Sequence, residues 1–237
     1  MSLIITLYLG EGIVMASDSR TTYNSTVTHP NGSIICNHGV HFSDSTYKTF
    51  LSPNGVGIST CGQASINNKP IAGFIEAFIN EHKNDDIEVV KDAVIPYFKN
   101  LDPMIDTHFI VGGYYFNGKQ HEQKLYQIIT ASNTITPLDT SVQGAIWDGE
   151  IDILSRILTP VYSYITQSNT YVEMPKYNVP FNHFTIQDAI DFAKYAIQAT
   201  IDTMKFQERV KTVGGAVDIL IIKPDNAFWI ARKELHK

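Results

Sequence analysis

Three separate stretches of the chain contain residue types that can cooperate in nucleophilic chemistry. Asp18 follows an apolar run from Gly12 to Ala16, so a carboxylate lies at the tip of a strand predicted to be buried. Lys48 opens another predicted strand, and Gly62 lies in a tight turn. Each feature alone has an ordinary structural explanation, as a strand-end charge, an edge lysine or a strand-to-helix connection. Together they fit one chemistry, in which Ser2 is the reacting residue.

Removal of Met1 would free the α-amine of Ser2, so that this amine and the serine hydroxyl group belong to the same residue. An α-amine titrates near a pKa of about 7.7 to 8.0, so it can accept the hydroxyl proton directly or through one water. A nearby Lys48 ammonium favours the uncharged amine by like-charge repulsion. Asp18 supplies the carboxylate partner that a lysine in a cleft requires. The amide of Gly62, near the predicted start of a helix, can donate to an oxyanion.

These stretches resemble the β-type subunits of proteasomes, which belong to the N-terminal-nucleophile hydrolase superfamily. The resemblance rests on the strand-like start at Ser2, residues 12–20, residues 48–50, the turn 61–64 and the Val-Gly-Gly-Ala-Val-Asp stretch 213–218. It spans nearly the whole chain. The spacing also agrees, because Ser2 precedes Asp18 by sixteen residues and Gly62 follows Lys48 by fourteen.

The resemblance implies a role for each matched position. Ser2 falls where the family has its nucleophile, usually a threonine, and Asp18 falls where an aspartate orients the active-site lysine. Lys48 matches that lysine, and Gly62 matches the glycine whose amide binds the oxyanion. The family's substrate-binding positions correspond to Thr21, Thr46, Thr60 and Ala64. The implied activity is hydrolysis of peptide or other amide bonds, without a metal or an organic cofactor. The implied assembly is a homo-oligomer, with a ring as one form.

Several departures from the family keep other functions open. The nucleophile is serine, which lacks the methyl group that restricts the hydroxyl rotamer. Val210 and Val213 stand where active members often carry an aspartate and a serine. The segment 22–47 is longer than in the family, and removal of Met1, rather than of a long pro-segment, is expected to expose the amine. A catalytically inactive scaffold or binding subunit is therefore an alternative, and a hydrolase of small amides is another.

The elements that must position these residues follow from the spacing of apolar residues. It predicts hairpins over 3–17, 48–60 and 216–231, strands over 108–111 and 124–129, and helices that begin after Gly62 and over 86–99, 149–158 and 185–206. Runs of strands followed by runs of helices indicate an α+β fold. With the resemblance, we expect one domain over residues 1–237, a four-layer α-β-β-α sandwich of two antiparallel sheets flanked by helices.

Composition narrows the classes of partner and compartment. The chain has 237 residues, 43% of them hydrophobic, and a net charge of −6. An acidic chain is a poor match for nucleic acid or an anionic membrane, and no apolar run reaches the roughly 20 residues of a membrane span. The apolar start lacks the features of a signal peptide. Cys36 and Cys61 give no disulfide framework, so we expect a reducing, cytoplasmic location. The resemblance implies a peptide or protein substrate.

Other polar and aromatic groups have lesser predicted roles. His29, His38 and His41 lie near Cys36 with irregular spacing, which favours a solvated loop over a metal site. Residues 147–149 are expected near the cleft. Candidates for contacts to the amine or to water are Ser141, Gln143 and Gly144. An irregular segment for packing or subunit contact is predicted around Tyr162, Tyr164, Tyr171 and Tyr177.

Overall fold

The computed structural model describes residues 2–234. Its strands are β1 (Leu3–Leu9), β2 (Gly12–Ser17), β3 (Thr21–Thr28), β4 (Ile34–Ser43), β5 (Thr49–Leu51), β6 (Gly57–Gly62), β7 (Ser65–Ile66), β8 (Lys69–Pro70), β9 (Thr107–Phe116), β10 (His121–Ile129), β11 (Thr134–Pro137), β12 (Gly144–Gly149), β13 (Tyr162–Ile165), β14 (Thr170–Glu173), β15 (Asp218–Ile222) and β16 (Ala227–Ala231). Its helices are α1 (Ile71–Glu81), α2 (Ile87–Leu101), α3 (Asp152–Leu158) and α4 (Ile186–Lys205).

Two five-stranded sheets stack face to face, and helices cover the outer face of each. The first sheet has the order β12-β1-β2-β15-β16 and the second the order β11-β10-β9-β6-β5. Helices α3 and α4 pack against the first sheet, and α1 and α2 pack against the second. All the strand pairs within the two sheets are antiparallel. The predicted α+β class and the four-layer α-β-β-α sandwich are therefore confirmed.

The first hairpin is apolar at nearly every position because both of its faces are covered. Successive side chains of a strand point to opposite faces. Leu3 and Ile5 pack in the layer that contains α4, whereas Ile4 packs between the two sheets. Asp18, which is fully buried, comes where the chain leaves β2. Strand β2 therefore places the carboxylate of Asp18 at one end of the interface between the two sheets.

The longer helices begin at the residues that the sequence indicates. The side chain of Asp86 accepts hydrogen bonds from the backbone amides of Glu88 and Val89 at the start of α2. Thr185 and Asp188 form a reciprocal capping box at the start of α4. Among the helices of the described part of the chain, none is both long and apolar enough to cross a bilayer.

The helix predicted directly after Gly62 begins later, at Ile71. The intervening residues form the small hairpin β7–β8, with a turn at Asn67 and Asn68, which both have positive φ. Asparagine tolerates this left-handed backbone, which two-residue hairpin turns require. The electrostatic effect of a helix terminus falls off within one turn. The helix thus starts nine residues after Gly62, and its first amide, that of Ile71, donates to the carbonyl of Ala64, two residues beyond the glycine.

Two segments expected to be irregular are hairpins in the structure. Residues 21–43 form β3 and β4, and residues 162–173 form β13 and β14. Both hairpins are largely exposed to solvent. Because neither face of these strands is buried against a core, their sequences lack the apolar alternation by which a strand is recognised. The sequence also does not indicate strand β12, and α3 begins at Asp152 rather than at residue 149.

Candidate active site

The buried carboxylate of Asp18 accepts hydrogen bonds from four groups in different segments. Its Oδ1 atom accepts from the amide of Leu3 at 3.0 Å and from Nζ of Lys48 at 2.7 Å. Its Oδ2 atom accepts from the amides of Arg20 and Gly214, both at 3.0 Å. Hydrogen bonds to an ionised acceptor are stronger than those between neutral groups. This carboxylate therefore joins the start of β1, the end of β2, the residue before β5 and the segment before β15.

The side chain of Lys48 is buried and hydrogen-bonded, like that of its partner Asp18. The Lys48 side chain is 4% exposed, and Nζ also donates to the carbonyl of Arg20. Burial lowers the pKa of the Lys48 ammonium, and the Asp18 carboxylate opposes this shift. The neighbouring hydroxyl of Thr49 lies 2.9 Å from those of Ser17 and Ser59, so polar contacts between the two sheets fix the position of Lys48.

Ser2 lies at the start of β1 and is 8% exposed. Its carbonyl accepts a hydrogen bond of 2.7 Å from the amide of Glu150, while the amide of Leu3 is bound by Asp18. Gly149 has a φ of +95°, and a Cβ atom there would lie 1.9 Å from the carbonyl oxygen of Ser2. Only glycine fits this close approach. Ser2 is therefore fixed from both sides; Met1, whose removal would free its amine, lies outside the described residues.

Gly62 ends β6 and is exposed. Its φ is +103°, and a Cβ atom would lie 2.8 Å from the carbonyl oxygen of Asp106. The glycine lies in the wall of a cleft of about 620 Å³, whose other lining residues are Thr22, Tyr23, Asn24, Gln63, Ala64, Ser65, Asn68 and Pro70. An extended ligand bound there would contact strand β3 on one side and the turn that follows β6 on the other.

The four predicted substrate-binding residues are not all in this cleft. Ala64 lines it, but Thr21, Thr46 and Thr60 do not. The hydroxyl of Thr60 donates to a carbonyl of β9, and Thr21 is 5% exposed. Since alternate residues of a strand point to opposite faces, the neighbour Thr22 lines the cleft in place of Thr21. The hydroxyl oxygen of Thr22 is buried and has no hydrogen-bond partner among the residues that the structure describes.

Glu150 also contributes to the candidate site, although the sequence does not indicate this. Besides binding Ser2 through its amide, its carboxylate accepts hydrogen bonds from the guanidinium of Arg209 and from the hydroxyl of Thr212. It lies in a second cleft, of about 300 Å³, that also contains Thr22 and Val210. Residues 147–149 are predicted to lie near the cleft. Glu150 is the next residue, but no sequence motif marks it as part of the site.

Three candidates for contacts to the amine lie elsewhere. Oε1 of Gln143 accepts from the amide of Gly10, and Gly144 pairs with Tyr8. The side chain of Ser141 bonds to its neighbour Asp139. Because β12 runs antiparallel to β1, only the end of β12 at Gly149 approaches Ser2. The prediction that these three residues contact the amine is therefore wrong.

The two valines that replace polar residues of the family have different surroundings. Val213 is 1% exposed and packs in the core beside α4, whereas Val210 is partly exposed and lies against Gly39 of β4. Neither side chain offers a polar atom to an amine at Ser2.

Side chains of the types that can hold a metal ion come together at Cys61, His108 and Asp148.

Comparison with known proteins finds similarity in structure alone. No family model matches the chain, and no curated protein matches its sequence. A solved structure of the Anbu (Gly-1) mutant from Hyphomicrobium sp. strain MC1 is similar with a TM-score of 0.61 and 15% identity, covering 98% of this chain and 87% of that one. Anbu from the same strain gives a TM-score of 0.57 at 15% identity, with 98% and 88% covered.

A third similar structure is Anbu, described as an ancestral beta-subunit, from Yersinia bercovieri. Its TM-score is 0.56 at 14% identity, and the similarity covers 98% of this chain and 88% of that one. Identities this low establish the fold and not the chemistry. The chain therefore has the N-terminal-nucleophile hydrolase fold that the resemblance in its sequence had indicated.

Proposed function

We propose that this chain hydrolyses peptide or other amide bonds with Ser2 as its nucleophile, once the peptide bond before Ser2 has been cut. One observation carries the proposal: a single oxygen of the Asp18 carboxylate accepts hydrogen bonds from both Lys48 and the amide of Leu3. A buried ammonium is thereby fixed beside the first residues of β1. A fold alone does not require a charge pair at this point, since burying it carries a desolvation cost.

In the proposed reaction, the hydroxyl oxygen of Ser2 attacks the carbonyl carbon of the substrate. The hydroxyl proton passes to the α-amine of the same residue, directly or through one water. The tetrahedral intermediate then collapses, the carbon–nitrogen bond breaks, and the departing amine takes the proton. Water hydrolyses the resulting ester, which restores the serine. The positive charge of Lys48 favours the uncharged amine that begins the cycle.

The remaining roles follow from the cleft whose wall contains Gly62. The amide of Gly62 is the proposed donor to the oxyanion, because this glycine ends β6 in the cleft wall. The side chain of Thr22, which lines the cleft, is a proposed contact for the substrate. The lining contains no Asp, Glu, Lys or Arg side chain among the residues of the described cleft. We therefore expect uncharged side chains to be preferred next to the cleaved bond.

The proposal is tested by intact mass spectrometry of protein purified from its native host, before and after incubation with a peptide epoxyketone. The two electrophilic carbons of this probe can accept a hydroxyl and an amine from one residue. We expect a chain that begins at Ser2 and one probe molecule per chain. Ser2→Ala is the matched control and should leave the protein folded and unlabelled. A chain whose amine stays blocked and that takes up no probe would favour the inactive alternative.

The alternative of a scaffold or binding subunit is favoured by a separate observation. The hairpins β3–β4 and β13–β14 expose apolar and aromatic side chains, including Ile34, Phe42 and Tyr171. Exposed apolar patches often mark protein–protein contacts, and we propose that this chain self-associates through them. Light scattering of the purified protein measures the assembly. Profiling with peptides and with small amides then separates a peptidase from a small-amide hydrolase.

A further inference from the structure

A cluster of three side chains of the types that can ligate a metal ion lies outside the residues assigned to hydrolysis. It consists of Cys61 at the end of β6, His108 at the start of β9 and Asp148 at the end of β12. One ligand-type atom from each residue lies within 4.8 Å of the other two. From this geometry we propose that these residues bind a divalent transition-metal ion of the zinc type. The binding is independent of whether Ser2 is a nucleophile.

The backbone brings the three side chains together by strand pairing. Cys61 and His108 are direct partners in the antiparallel pair β6–β9, so their side chains emerge on the same face. Asp148 comes from the other sheet, where β12 pairs with β1. The site thus bridges the two sheets near the ends of these three strands. Sites built on strands hold their ligands more rigidly than sites built on loops.

The set of donor atoms suits zinc. Zinc accepts thiolate sulfur, imidazole nitrogen and carboxylate oxygen in a tetrahedral arrangement, with donor atoms about 3.5 Å apart. Nδ1 of His108 already lies 2.9 Å from Oδ2 of Asp148, so small side-chain rotations suffice to admit the ion. Thiolate and carboxylate together neutralise the two charges of the metal, which limits its repulsion by the nearby Lys48 ammonium. Coordination releases the thiol proton of Cys61 to the solvent.

Outer contacts already orient the ligands. The amide of Gly149 donates to Oδ1 of Asp148 at 2.6 Å, and Nε2 of Gln127 donates to Oδ2 at 2.9 Å. On the far side of the imidazole, Nε2 of His108 lies 3.8 Å from a carboxylate oxygen of Asp106. A histidine that binds metal through one nitrogen commonly donates to a carboxylate with the other. The side chains of His108 and Asp148 are partly exposed, which leaves a fourth position for water.

The test uses untagged, full-length protein freed of metal with a chelator and then titrated with Co²⁺, whose bonds to thiolate give a charge-transfer band. We expect one Co²⁺ per chain, a thiolate band, and displacement by Zn²⁺. Cys61→Ser should abolish the band and weaken binding by at least about 100-fold. His108→Asn and Asp148→Asn should each weaken it by at least about 10-fold and retain the band.

Cys36→Ser is the matched control, because the chain has only two cysteines and Cys36 is exposed on β4. It should bind Co²⁺ as the unaltered protein does. Loss of the band in Cys36→Ser, or unchanged affinity in Cys61→Ser, would overturn the proposal. So would no Co²⁺ binding at all, since the three side chains would then form a hydrogen-bond network only. Circular dichroism checks each fold. If Cys61→Ser fails to fold, the His108 and Asp148 variants decide, and unchanged affinity in both rejects the site.

Discussion

Two buried lysine–aspartate pairs lie close together in this molecule and differ in what their carboxylates hold. Asp18 accepts hydrogen bonds from Lys48 and from three backbone amides in separate segments. Asp218 at the start of β15 accepts from both the amide and the ammonium of Lys233. Both carboxylates are fully buried. The first pair joins distant parts of the chain at the start of β1, whereas the second fastens the segment after β16 to the neighbouring strand.

The two pairs are also linked to each other. The hydroxyl of Tyr47, next to Lys48, donates to the carbonyl of Lys233, whose Nζ lies 4.4 Å from the centre of the Tyr47 ring. Burial lowers the pKa of both lysines, and the charge of Lys233 adds to the lowering for Lys48. The two lysine–aspartate pairs are therefore similar in chemistry, but we expect the first to act in catalysis and the second in stability. Variants of each pair should separate these two roles.

The largest difference is expected in activity. We predict that Lys48→Ala lowers the rate of the proposed amide hydrolysis by at least about 1000-fold, because the fixed charge near the proposed nucleophile Ser2 is lost. The fold should persist, since Asp18 keeps its three amide donors. Peptide hydrolysis and circular dichroism measure the two effects.

Lys233→Met is the matched control for that variant. It removes a buried ammonium of the same kind, and it should retain hydrolysis within about tenfold of the unaltered protein. Equal losses of activity in the two variants would erase the proposed distinction between the pairs. Full activity in Lys48→Ala would remove this lysine from the mechanism.

The next difference is expected in stability. Lys233→Met leaves Asp218 buried with a single donor, so the free energy of unfolding should fall by about 3 kcal/mol. In the double variant Asp218→Asn/Lys233→Met the buried charge is absent, and at least half of that loss should be recovered. Urea denaturation gives the values. A double variant as unstable as the single one would show that packing, and not charge, is what Lys233 provides.

A glycine variant extends the comparison from charges to the backbone near the first pair. Gly62→Ala places a Cβ atom 2.8 Å from the carbonyl of Asp106 at a positive φ, and should lower the free energy of unfolding by about 1 to 3 kcal/mol. Hydrolysis should fall by about 100-fold if the amide of Gly62 binds the oxyanion. Gly55→Ala, at a φ of +84° with open space around it, should be milder and leave hydrolysis unchanged. Similar effects in both glycines would leave Gly62 without a special role.

The difference between the pairs also explains what could be predicted from the sequence. Asp18 and Lys48 were recognised because each adjoins an apolar strand whose boundary is sharp. Asp218 and Lys233 were not singled out as a pair, because their contact depends on how the chain turns back after β16. The contact of Glu150 with Ser2 does not follow from the sequence for the same reason, since only the pairing of β1 with β12 brings the two residues together.

Prediction of the fold followed the same pattern. Strands covered on both faces and helices with side-chain caps were located within a few residues. The exposed hairpins could not be located from the sequence. Strands with no face buried in a core lack a regular alternation of apolar and polar residues, and residues 21–43 show this most clearly. The delayed start of α1 depended on the turn at Asn67 and Asn68, whose left-handed backbone is tolerated by asparagine but not dictated by it.

The smallest effect is expected in the dependence of stability on pH. The unfolded chain has lysines with a pKa of about 10.4, whereas burial lowers the pKa of Lys233 in the folded protein. Between the folded-state pKa and about 10.4, the unfolded state therefore binds more protons, and the free energy of unfolding rises with pH. Below the folded-state pKa both states are protonated, and Lys233 adds no slope.

The double variant Asp218→Asn/Lys233→Met lacks this contribution and should show a less positive slope as the pH approaches about 10. Urea denaturation at several pH values measures it. Burial raises the pKa of Tyr97 and Tyr114, which lowers stability as the unfolded tyrosines ionise near a pH of about 10, but the two proteins share these residues. The difference between the two slopes therefore isolates the pair Asp218–Lys233. Identical slopes would mean that Lys233 keeps its ordinary pKa in the folded protein.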